Sequence, residues 1–426
     1  THQHPQLLPD GETLLFIAGP ESRRDWNNTT IVVQSLRTGE RSIVATGASD
    51  AHYSPTGHLV FMRQGNLMAK PFDLKKRTST GPEVVVHGNV RHAINTTSSS
   101  TNTFSGQYSL AENGSLVHLP GGMWPDVECQ PVWVDRKGTE EPLKIPPATY
   151  FGLRISPNGD RVVLQRRNAS QEKIWIYEVS RGTLSRLTTV SDGKENWPIW
   201  TPDGDRISFG ATTAEGITIQ WAASDGSGEI EELSSFHGIP ASWSPDGRVL
   251  AVIRTADMWD WGIWMIPKGG EPQPLIELPS HQRFPSFSPN GEWLAYESDH
   301  SGRREVYVTP FPGPGPRIQV SADGGFGPTW SPKGDELFYR AEIDVDGLRS
   351  LMAVDIVTEP AFSAGQARVL FSGKYRTGSP VRAYDIAPDG ERFLFCKSVD
   401  QFMAPATHLK LTTNWFSELE RLVPTD

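Results

Sequence analysis

A four-residue box recurs nine times along the chain, and its regular spacing constrains the fold more than any other feature. The box usually reads Pro, a small polar residue and Gly, most often preceded by Ser or Thr. Its copies begin at Leu8, Ser54, Ala111, Ser156, Thr201, Ser244, Ser288, Ser331 and Ala387. Successive copies are 46, 57, 45, 45, 43, 44, 43 and 56 residues apart. A period near 45 residues is typical of β-propeller blades.

The residue types in the box explain its place in such a repeat. Pro presets the first turn position, and Gly accepts the positive φ that a tight reversal requires, so the box joins two antiparallel strands. Short alternating apolar runs flank it, as at 206–209 and 293–296. A third run follows, as at 173–177, and then a fourth, as at 185–188. Four strands per repeat predict one blade each.

Composition agrees with this prediction and narrows the functional classes. The 40 Gly and 34 Pro of the 426 residues argue against long helices, and they recur with the boxes. A net charge of -10 provides no basic surface, so nucleic-acid binding is not expected. The sequence contains no run of 18 apolar residues, so no membrane-spanning helix is predicted. Residues 1–5 have the pattern of neither a signal peptide nor a membrane anchor. Cys129 and Cys396 could pair if the chain closes on itself, but two inert core thiols are favoured.

We therefore predict an all-β fold, a β-propeller of four-stranded antiparallel blades with about nine repeat units in one ring over residues 1–426. The ninth unit turns into a short C-terminal helix at 414–423, whose apolar face is expected to cap the propeller edge. This face is formed by Trp415, Phe416, Leu419, Leu422 and Val423. The alternative is a six-bladed ring from residue 107 onward beside a three-unit N-terminal part. The Thr-, Ser- and Asn-rich stretch at 90–106 is then the seam.

The box, the aliphatic strand after it and the third strand of the 174–177 type resemble the WD40-like repeat (PD40) of TolB-like proteins. They also resemble the propeller domain of prolyl oligopeptidase-type peptidases. The strings at 305–315, 335–339 and 411–416 are similar to the extracytoplasmic propeller region of bacterial serine/threonine kinases. The resemblance implies a bacterial protein in a periplasmic or extracytoplasmic location. It does not imply kinase activity, because the sequence lacks a Gly-rich nucleotide loop and a His-Arg-Asp loop.

Motifs for catalysis are absent from the sequence, and we leave open whether the protein is an enzyme. No G-x-S-x-G elbow occurs, and the nearest string, at 225–228, reads as a hairpin turn. Neither H-E-x-x-H nor a Cys/His cluster occurs. His2 and His4 could chelate a metal along a strand, but an ordinary terminus is favoured. We expect no cofactor, with calcium or another divalent ion in the channel as the alternative.

A binding site is predicted from propeller geometry instead. The first strand of each blade lines the central channel, so residues four to seven before each box should converge at its mouth. The predicted ligand-binding residues are Glu195, Asn196, Trp197, His237, His281, Arg283, Phe284, Phe326 and Arg382. Equivalent positions in other units hold Ser49, Asp50, Tyr150, Phe151 and Ile239. These residues could equally serve only to seal the blades.

The leading functional hypothesis is a non-catalytic ligand- or protein-binding propeller, a sensor or interaction module that binds at the channel mouth. Its expected partner is a protein, a peptide or a small polar ligand, and the protein is expected to be a monomer without membrane insertion. The competing hypothesis is a hydrolase or lyase, metal-assisted in one version, with His237, His281, Glu195 and Arg283 at its centre. A scaffold without a small ligand is the third alternative.

Overall fold

The structure is a computed structural model that describes residues 2–19, 29–95, 105–124, 128–168, 171–188, 194–213, 216–254, 261–276, 278–341, 348–376, 381–399 and 408–425. β-Strands are the predominant secondary structure of these residues, with one α-helix near the C-terminus, which confirms the all-β prediction. The chain divides into two compact units. The first unit comprises Thr1–Val127 and Gln401–Asp426, and the second comprises Glu128–Asp400.

Thirteen strands are described in the N-terminal segment of the first unit. They are β1 His2–Leu7, β2 Thr13–Ala18, β3 Thr30–Ser35, β4 Arg41–Thr46, β5 Ser49–Ser54, β6 His58–Arg63, β7 Asn66–Asp73, β8 Thr78–Ser79, β9 Val84–His87, β10 His92–Asn95, β11 Tyr108–Leu110, β12 Leu116–His118 and β13 Met123–Trp124. The first four form one antiparallel sheet, and β5 to β9 form the next. These two sheets are the first two repeats of the sequence.

The second unit contains 25 described strands. They are β14 Cys129–Asp135, β15 Glu140–Pro142, β16 Thr149–Ile155, β17 Arg161–Asn168, β18 Gln171–Glu178, β19 Thr183–Arg186, β20 Lys194–Trp200, β21 Arg206–Thr213, β22 Gly216–Ala223, β23 Glu231–Ser234, β24 Gly238–Trp243, β25 Val249–Arg254, β26 Ile263–Pro267, β27 Gln273–Ile276, β28 Gln282–Phe287, β29 Trp293–Ser298, β30 Glu305–Pro310, β31 Ile318–Gln319, β32 Phe326–Trp330, β33 Glu336–Arg340, β34 Arg349–Val357, β35 Ser363–Ala364, β36 Arg368–Gly373, β37 Tyr384–Ile386 and β38 Arg392–Ser398. They form six sheets, five of which are built from consecutive strands. The C-terminal segment returns to the first unit with β39 Lys410–Thr412 and α1 Trp415–Leu422.

The six sheets of the second unit form a closed ring of blades. Tryptophans just before the boxes link neighbouring blades: the Trp200 Nε1 donates to the Arg154 carbonyl at 3.0 Å, and the Trp330 Nε1 donates to the Ser286 carbonyl at 3.0 Å. The ring closes where the Ile155 N–H donates to Asp385 Oδ2 at 2.8 Å, between β16 and β37. Residues 128–400 thus have the six-bladed arrangement of the alternative prediction. Because these six blades close on one another, they are not part of the single ring over 1–426 that we predicted first, and the seam at 90–106 stays a prediction.

The closing blade combines strands from the two ends of the second unit. Its sheet has the order β15-β14-β38-β37, so the ninth repeat supplies the inner strands and the third repeat supplies the outer ones. The inner strands of that third repeat, β11 and β12, pair with each other, and β12 pairs in turn with β39. The two repeats therefore exchange strands, and this exchange closes the ring without an unpaired first or last blade.

A disulfide bond joins the two strands that close the ring, which corrects the expectation of two free thiols. Cys129 lies on β14 and Cys396 on the adjacent β38, with their Cα atoms 5.4 Å apart. The chain does close on itself, and the closure brings together two cysteines that are 267 residues apart in sequence. No free cysteine remains.

A β-bulge recurs in the first strand of most blades, at the same distance before the box. The antiparallel register shifts there in both units, for example between Asn196 and Ile199 and between Arg283 and Ser286. Six residues that lie five positions before the box Pro have left-handed φ: His4, Asp50, Gly152, Trp197, Phe284 and Gly327. A bulge bends its strand and redirects the neighbouring side chains, so it determines which residues reach the channel mouth.

The C-terminal helix packs within the first unit. Trp415, Leu419 and Val423 are buried in one apolar cluster with residues of β6, β7 and β12. Its start is held by the Trp415 N–H, which donates to the Gly114 carbonyl at 2.7 Å, and its end by His58 Nε2, which lies 2.6 Å from the Val423 carbonyl. The predicted C-terminal helix is confirmed, with Asn414 at its N-cap. Among the described residues, no helix has the length and apolar character needed to span a bilayer.

Candidate functional site

Arginine side chains stack on aromatic rings at the ends of several blades in the second unit. Because the strands of a blade are antiparallel, the start of the first strand, the end of the second and the start of the third all lie at the same end of the blade. Phe151 of β16 lies between two guanidinium groups, with Arg376 3.7 Å and Arg167 5.0 Å from its ring centroid. Phe326 of β32 is flanked in the same way by Arg304 at 5.4 Å and Arg349 at 5.2 Å. Such distances are those of cation–π contacts, which hold a guanidinium in place while it remains charged.

A buried guanidinium lies between the first strands β16 and β37, where the ring closes. Arg154 is only 7% exposed, and its Nη1 donates to the carbonyls of Leu153 at 2.6 Å and Arg382 at 3.1 Å. Its Nε is buried without a hydrogen-bond partner among the described residues. The predicted site residue Arg382 pairs through Nη2 with Asp385 Oδ1 at 2.6 Å. Arg382 therefore has the carboxylate of Asp385 as an ion-pair partner, whereas the Arg154 guanidinium donates to backbone carbonyls.

The electrostatics of this pair follow from burial. Burial, together with the positive charge of Arg382, lowers the pKa of Arg154 to about 9, while the negative charge of Asp385 acts in the opposite direction. An unpaired charge in a buried position is unfavourable unless another charge compensates it. An anion placed beside Arg154 and Arg382 would supply the missing negative charge.

Glu195, a predicted site residue, is a structural residue between two blades. It is 2% exposed, and its Oε1 lies 2.7 Å from the Nζ of Lys173, which is also buried. Its Oε2 accepts a hydrogen bond from Thr188 Oγ1 at 2.9 Å. Both carboxylate oxygens are thus occupied by the neighbouring strands, and the side chain is not presented at the channel mouth.

Asn196 and Trp197 are likewise engaged inside the protein. Gln165 Nε2 donates to Asn196 Oδ1 at 2.7 Å, and the Trp197 N–H donates to Gln165 Oε1 at 3.3 Å. The Trp197 ring is buried against Gly210, where an added Cβ would lie 2.8 Å from the ring atom Cε3. Phe284 is buried as well, and both aromatic residues occupy the left-handed bulge position. These side chains seal the blades.

The remaining predicted residues are more accessible. Arg283 stacks on Trp261 with its guanidinium 4.1 Å from the ring centroid, and its Nε is buried without a partner in the described ranges. Burial lowers the pKa of Arg283, and Glu297 opposes that effect. His281 is half-buried, its N–H donates to Asp299 Oδ1 at 2.8 Å, and its Nδ1 has no partner in the same ranges. His237 is exposed and packs against Gly216.

The structure adds arginines that the sequence interpretation missed. Arg154, Arg167, Arg304, Arg349 and Arg376 lie outside the window of four to seven residues before a box. The sequence carried a signal for Arg154, since this residue interrupts the apolar run of β16. The other four lie at the ends of later strands in each blade, and only the blade fold brings them near the first strands. Within the described ranges, no group of three His, Cys, Asp or Glu residues is arranged to hold a metal ion.

Comparisons with known proteins agree on the fold. No family model matches the chain. It is 26% identical over 165 residues to the uncharacterized peptidase YuxL of Bacillus subtilis, a match that covers 36% of this chain and 23% of that protein. It is 28% identical over 169 residues to the uncharacterized protein Atu1656 of Agrobacterium fabrum, covering 38% and 55% of the two chains. The chain thus spans about a quarter and about half of the lengths of these curated relatives.

A solved structure described as a TolB from Agrobacterium tumefaciens superposes with a TM-score of 0.53 at 16% identity. The superposition covers 65% of this chain and 99% of that one. At this identity the likeness shows the fold alone. The chain shares the β-propeller fold of that structure, which confirms the fold resemblance stated from the sequence.

Proposed function

We propose that the second unit is a non-catalytic binding module for a small anionic ligand, a carboxylate or a phosphate group, at the first-strand end of the blades. The observation that carries this proposal is the pair of neighbouring cations Arg154 and Arg382: Arg382 forms an ion pair with Asp385, and Arg154 donates only to backbone carbonyls in the described ranges. The guanidinium group is planar and always charged, and its donors match the oxygens of carboxylate and phosphate. A partly buried site strengthens that interaction because solvent screens it less.

The stacked arginines around Phe151 and Phe326 extend the positively charged surface beyond this pair. A ligand with several carboxylates, or a peptide end with acidic neighbours, would find further guanidinium groups nearby. The hydrolase or lyase alternative at the same mouth has weaker support. Glu195, which that alternative requires as an acid or base, has both oxygens occupied by Lys173 and Thr188.

We place this module outside the cytoplasm as a sensor or interaction domain that acts as a monomer. The disulfide between Cys129 and Cys396 supports the location, because such bonds persist mainly in oxidising compartments. The resemblance to TolB-like proteins favours the same compartment. Proteins or peptides with exposed carboxylates are the macromolecular partners consistent with this chemistry.

Isothermal titration calorimetry with citrate and with inorganic phosphate tests the proposal. The double variant Arg283→Ala/Arg382→Ala should weaken citrate binding by about tenfold or more, since each lost charge-assisted hydrogen bond is worth about 1.5–3 kcal/mol. The control is Arg248→Ala, whose side chain is 84% exposed beside the box at the opposite end of its blade. Unchanged citrate affinity in the double variant, or no binding of either anion to the wild type, would overturn the proposal.

A further inference from the structure

The first unit brings a serine, a histidine and an aspartate together from three distant segments. Ser105 Oγ lies 3.2 Å from His4 Nε2. The other ring nitrogen, His4 Nδ1, lies 3.6 Å from Asp50 Oδ1. A hydroxyl within reach of one imidazole nitrogen, with a carboxylate at the other, is the arrangement that activates a serine nucleophile.

The carboxylate of this group is held firmly in place. Asp50 is 5% exposed, and its Oδ2 accepts the Gly106 N–H at 2.6 Å. Its backbone carbonyl accepts the Tyr108 hydroxyl at 2.6 Å. Gly106 and Tyr108 belong to the segment that also carries Ser105. Their hydrogen bonds to Asp50 therefore position the serine and the carboxylate relative to each other.

The other two members can be reached from outside. The His4 side chain is 29% exposed, and Ser105 is half-buried. His4 and Asp50 both occupy the left-handed bulge position of their blades. A second histidine, His52, places its Nε2 3.2 Å from Asp50 Oδ1 and stacks edge-on against Tyr108 at a centroid distance of 5.4 Å. Asp50 thus lies beside the imidazole rings of His4 and His52. Of these two histidines, His4 is the one within hydrogen-bond distance of Ser105.

We propose that Ser105 is an activated nucleophile that cleaves carboxylic esters, with His4 as its general base and Asp50 as a positioning residue. The Ser105 Oγ attacks the acyl carbon while His4 Nε2 takes the hydroxyl proton. The bond to the leaving alcohol breaks, and His4 returns the proton to that alcohol. Water, deprotonated in turn by His4, then attacks the acyl-serine and releases the carboxylic acid and the free serine. The sum is one ester and one water giving one acid and one alcohol.

Labelling of the full chain with a fluorophosphonate probe tests this site, with the modified residue mapped by mass spectrometry. The expected result is an adduct on Ser105 that disappears in Ser105→Ala. The His4→Ala variant should label at least 100-fold more slowly, the lower end of the usual contribution of a general base. Added imidazole should restore part of that rate, which a purely structural effect of the substitution would not produce.

The matched control is Ser42→Ala, which removes an exposed serine of the same unit that lies on β4. It should label at the wild-type rate, and hydrolysis of p-nitrophenyl acetate should follow the same order among the variants. Labelling of Ser105 that persists at the wild-type rate in His4→Ala would overturn the proposal, because the serine would then be merely accessible. Absence of any adduct on Ser105 in the wild type would overturn it as well.

Discussion

Individual side chains in this protein occupy a backbone conformation that their residue types rarely adopt. Trp197 and Phe284 have φ values of 58° and 53°, at the position where Gly152 and Gly327 stand in other blades. For a bulky residue the left-handed region costs about 1–2 kcal/mol. The buried rings offset this cost by packing between blades. The two glycines in register with the box hinted at the bulge, but nothing in the sequence indicated that a Trp and a Phe would share it.

A pair of histidines, of which His118 is buried and His87 half-buried, should make the first unit sensitive to acid. His87 Nε2 and His118 Nε2 lie 3.1 Å apart, so one ring donates to the other only while at least one is neutral. Burial lowers the pKa of His87, with Lys410 adding to the effect. Burial lowers the pKa of His118 too, followed by the charges of His87 and Lys410. The unfolded chain therefore takes up protons below about pH 6.5 that the folded state does not, and stability should fall as pH drops through that range.

Urea unfolding at pH 7.5 and pH 5.5 measures this effect. The wild type should lose more stability between the two values than the variant His87→Gln/His118→Gln, in which neither ring can titrate. His300→Gln is the control, since His300 is exposed in a turn of the second unit. An equal loss in the wild type and the double variant would show that the pair does not titrate as its burial predicts.

Among the secondary-structure elements, the C-terminal helix buries the apolar face that its sequence pattern predicts. The apolar residues at 415, 416, 419, 422 and 423 predicted one buried face, and the structure buries Trp415, Leu419 and Val423. The sequence could not identify the surface that receives this face. It is formed by strands of the second and third repeats, which the chain left some 300 residues earlier.

Truncation of Leu419 should measure what this helix contributes. Leu419 is fully buried, so Leu419→Ala should lower the free energy of unfolding of the first unit by about 2–5 kcal/mol, through lost transfer free energy and the cavity left behind. Leu411→Ala on the adjacent β39 is the matched control, because that leucine is 64% exposed and its loss should change stability by less than about 0.5 kcal/mol. Circular dichroism during urea unfolding gives both values, and equal losses would argue against the capping role.

At the scale of the whole molecule, the disulfide between Cys129 and Cys396 covalently links the two strands that close the ring of blades. The variant Cys129→Ser/Cys396→Ser should lower the free energy of unfolding of the second unit by about 2–4 kcal/mol, because the unfolded chain gains freedom when 267 residues are no longer closed into a loop. Urea unfolding followed by tryptophan fluorescence provides the measurement. A reducing agent should lower the wild-type midpoint toward that of the variant and leave the variant itself unchanged. A wild-type midpoint that does not move once both thiols are free would contradict this expectation.

The sequence by itself determined the repeat, the turn chemistry and the four-stranded blade, because these depend on local residue types at a fixed period. Pro and Gly at each box specify a reversal wherever they occur, and alternating apolar residues specify the strands around it. Among the nine site residues predicted from the sequence, Arg283 and Arg382 carry guanidinium groups that could bind an anion. Glu195 and Asn196, also predicted, instead bind neighbouring side chains in the interior of the protein.

Only the tertiary structure decided which strands complete which blade and which distant side chains meet. The exchange of strands between the third and ninth repeats, the pairing of Cys129 with Cys396 and the contact of Arg154 with Arg382 all join segments more than 200 residues apart. His4 and Ser105 are 101 residues apart, and they meet with Asp50 only in the folded first unit, since no sequence motif connects the three. Such contacts depend on how the blades close, and closure is a property of the assembled sheets that no local pattern encodes.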